Sequence, residues 1–130
     1  MSTRCQLGIY EKKPEQVNLK KWDVLLYKHC DGYEEGVLPD LIPFLKYFKE
    51  HRGISDTEYC GAWLIKYLID QSNDSPPLEK YDCIGYGISN CFHGDIEYFY
   101  AIYPNAVDIY DCGYSRDTLE WKKIKTVEIQ

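Results

Sequence analysis

A chain of 130 residues, 45% apolar and 15% aromatic, has the size and composition of one globular domain with a core of its own, so the whole of 1–130 is expected to fold as a single unit. A formal charge of -6, from 15 basic and 21 acidic residues, excludes a general affinity for nucleic-acid phosphates, which needs clustered Lys and Arg. No apolar run approaches the roughly 20 residues that a spanning helix requires, and the Met1-Ser2-Thr3-Arg4-Cys5 start lacks a signal-peptide core. The expectation is a cytoplasmic protein without membrane association.

Taken in chain order, residues 3–10 alternate Thr3, Cys5, Leu7 and Ile9 against Arg4, Gln6, Gly8 and Tyr10, the period of a strand with one dry face. Arg4 then points away from Cys5 and Leu7, toward solvent or the floor of a site. After a polar link containing Pro14, residues 22–28 form a second strand, and the short connection predicts an antiparallel pair. Leu38, Leu41, Ile42, Leu45 and Phe48 recur at helical spacing. Asp40 is the expected cap, which puts Pro43 in the first turn, where its missing N–H costs nothing. Lys49, His51 and Arg52 crowd the last turn before Gly53, as the helix dipole and a left-handed C-cap favour.

Ser55-Asp56-Thr57-Glu58 reads as a capping box for a second helix, whose stripe of Gly61, Leu64, Ile65 and Leu68 faces inward, with Gly61 allowing close approach. Residues 71–77 are turn formers. Strands are expected over 83–90, 96–103, 107–110 and 121–129, with Pro104-Asn105 closing a hairpin. The order β-β-α-α-β-β-β-β has no strand–helix alternation. It predicts an α+β domain, a mostly antiparallel sheet of about five to six strands with two helices packed on one face.

Two segments carry candidate chemistry. His29-Cys30-Asp31-Gly32-Tyr33 lies where the second strand ends, and His93-Gly94-Asp95-Ile96-Glu97-Tyr98 lies before a later strand. In extended backbone, residues i and i+2 share a face, so each His-x-Asp can aim an imidazole and a carboxylate the same way. The candidate site is Arg4, His29, Asp31, Tyr33, His93, Asp95, Glu97 and Tyr98. No cofactor is expected; were a divalent metal bound, His29, Asp31, His93 and Asp95 are the candidate ligands. The plain alternative is two ordinary turns, with each Asp bonded to nearby backbone.

Other features have simpler readings. Gly85-Tyr86-Gly87 does not open a helix and is no phosphate fingerprint. Tyr98, Tyr100, Tyr103, Tyr110 and Tyr114 are either a stacking surface for a base or sheet packing. The six cysteines are spread without a CxxC pair, so neither a zinc knuckle nor a redox motif can be read and reduced, buried thiols are expected.

Ser2-Thr3-Arg4-Cys5, Leu26-Tyr27-Lys28-His29 with Asp31-Gly32-Tyr33, Gly36-Val37-Leu38-Pro39, and Phe92-His93-Gly94-Asp95-Ile96-Glu97-Tyr98-Phe99-Tyr100 resemble an uncharacterised family of small proteins of phages, prophages and bacteria. The resemblance implies a mobile-element setting and an accessory role such as counter-defence; it carries no activity. Three functions stay open. One is a binding module for a small polar ligand, nucleotide-like among the candidates, or for a host protein. Another is a small hydrolase or nuclease using the His, Asp and Glu groups, with or without metal. The last is an assembly protein that forms homo-oligomers through its aromatic surface.

Overall fold

The first strand, β1 (Cys5–Ile9), lies at the centre of a six-stranded sheet and is buried along its entire length. In the computed structural model, residues 2–72, 78 and 85–130 are described. β1 pairs antiparallel with β2 (Val24–Lys28) on one side and parallel with β4 (Tyr98–Tyr103) on the other. β2 carries the short edge strand β3 (Tyr86–Ile88), while β4 continues antiparallel into β5 (Ala106–Asp111) and β6 (Lys122–Glu128). The order is β3-β2-β1-β4-β5-β6, mostly antiparallel as the element order implies. The parallel β1–β4 pair is the feature the sequence did not announce. Of the strand expected over 83–90, residues 83 and 84 lie outside the described part, as do 73–77 of the expected loop.

Two helices, α1 (Glu34–His51) and α2 (Thr57–Gln71), cover one face. Val37, Leu41, Leu45 and Phe48 of α1 and Cys60, Leu64 and Leu68 of α2 pack on Cys5, Leu7, Ile9, Leu26, Tyr100 and Ile109. Gly61 lies so close to β2 that an added Cβ would stand 2.7 Å from Val24, the close approach its position in the stripe predicts. Gly53, at φ +102°, ends α1 and its N–H bonds to Phe48 O at 2.8 Å.

Both helix starts differ from expectation. α1 begins at Glu34 rather than at an Asp40 cap, so Pro39 and Pro43 both lie inside it. They are tolerated because they fall four apart on the exposed side, where the carbonyls they leave without a helical partner meet water. The earlier start also brings Val37 onto the buried stripe. At α2 the cap is Asp56, not Ser55, and no side chain closes it. The Asp56 carboxylate is taken by Arg52 at 2.8 Å, and the Thr57 hydroxyl donates to Asp23 at 3.1 Å, tying the helix start to the β2 approach.

The opposite sheet face is not open. Phe99, Ala101, Tyr103, Ala106 and Tyr110 form a second core with Phe92, Trp121 and Leu19 from the connecting segments. Phe92 is its hub, its ring centroid 5.0 Å from Trp22, 5.3 Å from Phe99 and 5.0 Å from Trp121. Tyr100, Tyr103 and Tyr110 are therefore sheet packing rather than a stacking surface; Tyr114 is exposed. Among the described residues no helix is long and apolar enough to cross a membrane.

Cys5, Cys60 and Cys112 are buried free thiols, as expected, whereas Cys30 and Cys91 are free but exposed, and Cys83 lies outside the described residues. Iodoacetamide at pH 8 should alkylate Cys30 and Cys91 in the native protein within minutes and reach Cys5, Cys60 and Cys112 only on unfolding, which mass mapping will report. Burial, partly offset by Lys28, pushes the Cys5 thiol from 9.0 up to about 12, and burial with Asp56 nearby does the same to Cys60. The unfolded chain loses these protons first, so stability is complete below pH 9 and falls as pH rises toward 12. The slope reaches about 1.4 kcal/mol per pH unit for each thiol. Urea midpoints at pH 7, 9 and 10.5 should be similar for the first two and distinctly lower for the third.

Candidate functional site

The site is built where β1 and β2 meet the segment that leads into β4. Residues of one parity on β1 and β2 (Cys5, Leu7, Leu26) face the helices, and those of the other parity (Leu25, Tyr27) face the second core. Arg4 and His29 sit just beyond the two strands. Arg4 Nε donates to His29 Nδ1 at 3.4 Å, and the Tyr27 hydroxyl lies 2.9 Å from the same nitrogen. An arginine nitrogen can only donate, so Nδ1 accepts, Tyr27 donates to it as well, and the ring proton of neutral His29 resides on Nε2. Burial and the nearby Asp95 raise the Tyr27 phenol above its usual range, against a smaller opposing effect of Arg4, which keeps it a donor.

His93 completes the group from above. Its ring stacks on Tyr27 with centroids 4.7 Å apart and planes 17° apart. Asp95 forms an ion pair with the other end of Arg4, Nη1 and Oδ2 lying 3.3 Å apart, with its second oxygen 4.0 Å from His93 Nδ1. Arg4 and Asp95 are 34% and 54% exposed, so this ion pair is worth little to stability.

A buried amide holds the loop in place. Gln6, fully buried on β1, donates from Nε2 to Cys91 O at 3.1 Å and accepts from His93 N at 3.0 Å. One side chain thus reads the backbone on both sides of Phe92 and sets the height of the imidazole over Tyr27. Below, the Gly32 backbone runs against β1: its N–H bonds to Thr3 O at 2.9 Å, its carbonyl accepts from the Tyr100 hydroxyl at 2.7 Å, and an added Cβ would stand 2.8 Å from the Cys5 Cβ. At Gly36 a Cβ would overlap the Asp31 carbonyl outright. These two glycines let α1 start directly under the end of β2.

Of the residues singled out from sequence, Arg4, His29, His93 and Asp95 come together. Asp31 does not join them. It occupies the left-handed region at φ 58° and accepts from Tyr33 at 3.3 Å, so Asp31 and Tyr33 close their own exposed turn. Asp31 also raises the Tyr33 phenol above its ordinary value. Glu97 contributes through its backbone, its N–H to Arg4 O at 2.9 Å and its carbonyl to Cys112 N at 2.8 Å. Tyr98 packs toward the helix-covered core, where burial and then Glu97 raise its phenol. Among the described residues no three His, Cys, Asp or Glu side chains are grouped as a metal requires, and with Asp31 turned away the His29, Asp31, His93, Asp95 set is not assembled.

Three contributors lie outside the candidate site that the sequence suggests: Tyr27, Gln6 and Arg116. The first two share the strand face of Arg4, and a glutamine amid an apolar alternation is the signal that could have marked Gln6. Arg116 lies over Gly94, where an added Cβ would stand 3.1 Å from its Nε. Nothing local in the sequence connects it to the site.

A hollow lies elsewhere in the fold. Between α1 and α2, Pro43, Phe44, Tyr47, Trp63 and Tyr67 line a groove of about 490 Å³, with Lys66 and Asp70 at its margin. Tyr47 and Trp63 are 64% and 52% exposed there.

Comparison with protein families, with curated proteins and with solved structures finds no match to this chain.

Replacing Gln6 by Leu keeps the volume and strands two polar backbone groups, Cys91 O and His93 N. The variant should lose about 2–3 kcal/mol in urea denaturation, with faster hydrogen exchange at the His93 amide. Asp95→Asn should lose under about 1 kcal/mol.

Proposed function

We propose that the protein is a non-catalytic binding module that holds a small polar ligand against Arg4, Tyr27, His29 and His93. The observation that carries this reading is the meeting of two imidazoles, distant in sequence, on one phenol, with a guanidinium bonded to the first of them. The chemistry favours recognition over turnover. A general base needs a free lone pair aimed at its substrate, and the Nδ1 lone pair of His29 is already shared by Arg4 and Tyr27. What the neutral ring has left to offer is the Nε2 hydrogen, a donor for a ligand oxygen. The setting implied by the family resemblance agrees with a cytoplasmic accessory role, such as sequestering a host signal or metabolite in counter-defence.

A protein partner is the second reading, favoured by the aromatic groove between α1 and α2, where exposed Tyr47 and Trp63 could receive apolar side chains.

Native mass spectrometry of protein purified from the cell in which it acts tests the first reading. A retained small molecule is expected in the wild type and absent from His93→Ala, with the melting temperature within a few degrees because His93 is half-exposed. A wild-type protein that carries no bound mass and binds none on incubation with a desalted small-molecule extract of the same cells would defeat it. The same spectra count subunits, which decides whether copies associate.

A further inference from the structure

Resting on the binding reading above, we propose that the ligand of this site carries a phosphate-class oxyanion, gripped between Arg116 and Arg4. The argument begins with what each guanidinium is doing in the structure. Arg4 is engaged twice, with His29 and with Asp95. Arg116 is exposed and lies along Gly94, in the middle of the His93-Gly94-Asp95 turn. Among the described residues, no carboxylate lies within ion-pair distance of it and no hydrogen-bond partner holds it. In a protein with 21 acidic residues against 15 basic ones, an exposed guanidinium lying along the turn that carries His93, with no carboxylate partner among the described residues, is available to an incoming anion.

Geometry gives Arg116 its place. Gly94 has no side chain to push it away; any Cβ there would crowd Nε at 3.1 Å. The only described non-glycine residues with positive φ are Asp31 at 58° and Tyr114 at 59°, each two positions from a member of the cluster, His29 and Arg116 respectively. Left-handed backbone is costly for tyrosine, and its presence on the loop that delivers Arg116 fits a turn held for where it aims the chain.

The remaining donors suit an oxyanion. Arg4 Nη1 is held only by a half-exposed aspartate, a weak pairing that a phosphate, accepting two parallel N–H bonds from a guanidinium, would outcompete. Neutral His29 offers its Nε2–H, and Tyr27 holds that tautomer. The exchange is non-covalent: Arg4 turns from Asp95 to the ligand, and Asp95 is left facing solvent and His93.

Titration of the ¹⁵N-labelled full chain with inorganic phosphate, with adenosine 5′-monophosphate and with adenosine tests this, alongside the exposed-site variants Arg116→Gln and Arg4→Gln. Phosphate and the monophosphate should move the His93, Gly94 and Asp95 amides while adenosine leaves them in place. Arg116→Gln should bind the monophosphate about tenfold more weakly with an unchanged melting temperature, and affinity should fall with added NaCl. Tighter binding of the monophosphate than of phosphate assigns the anion to a phosphorylated metabolite; equal binding assigns it to the free ion. Adenosine matching the monophosphate, Arg116→Gln binding as well as wild type, or no response to either anion overturns the oxyanion assignment. The binding reading survives each of these if native spectra still carry a neutral or cationic molecule that His93→Ala loses.

Discussion

The structure depends on one strand being dry on both faces while carrying a polar side chain inward. β1 is central, flanked by β2 and β4, with aliphatic residues under the helices on one side and Gln6 and Gly8 under the aromatic layer on the other. A buried amide is costly unless every bond is made, and Gln6 makes both of its bonds with the backbone that presents His93. The energetic requirement of the core and the placement of the site are therefore the same requirement. Were Gln6 apolar, Phe92 would still anchor the loop in the second core, but the Cys91 carbonyl and the His93 N–H would lose the partner that fixes His93 over Tyr27.

Much of this architecture is legible in the chain. Alternation located the strands within a few residues, the helical stripes identified both buried faces, and Gly53 ended α1 where its position suggested. What was not legible has identifiable physical origins. Pro39 and Asp40 resemble a helix entrance, yet the helix is already under way at Glu34, because two prolines spaced one turn apart on the wet side do little harm while Val37 gains burial. The capping box at Ser55 is replaced by an Asp56 cap whose carboxylate pairs with Arg52 at the end of the preceding helix instead of bonding its own helix's N–H groups. The parallel contact of β1 with β4 and the second core are tertiary outcomes: Trp22 and Trp121 lie just ahead of β2 and β6 and Phe92 lies between β3 and β4, and only three dimensions bring their rings together.

The candidate site was half legible for the same reason. His-x-Asp repeated twice is visible in one dimension, and the rule that i and i+2 share a face made the two motifs look equivalent. They are not. The second contributes both His93 and Asp95, while the first contributes His29 alone, since a left-handed turn at Asp31 swings its carboxylate to Tyr33. The feature that joins the histidines, Tyr27, reads in the sequence as one more aromatic in a strand. Arg116 is farther still from recognition, being tied to the site only through the absence of a side chain at Gly94.

The parallel register of Cys5 with Tyr98 has a bearing on how the molecule comes into being. During synthesis the β1–β2 hairpin emerges early, yet the neighbour that covers its other margin, and the loop that satisfies Gln6, are made only after both helices have left the ribosome. The apolar border of β1 stays unpaired until then, because its partner is more than ninety residues away in sequence. The place where the histidines meet is thus built from long-range contacts, and it forms only once the β1 margin and the segment leading into β4 come together.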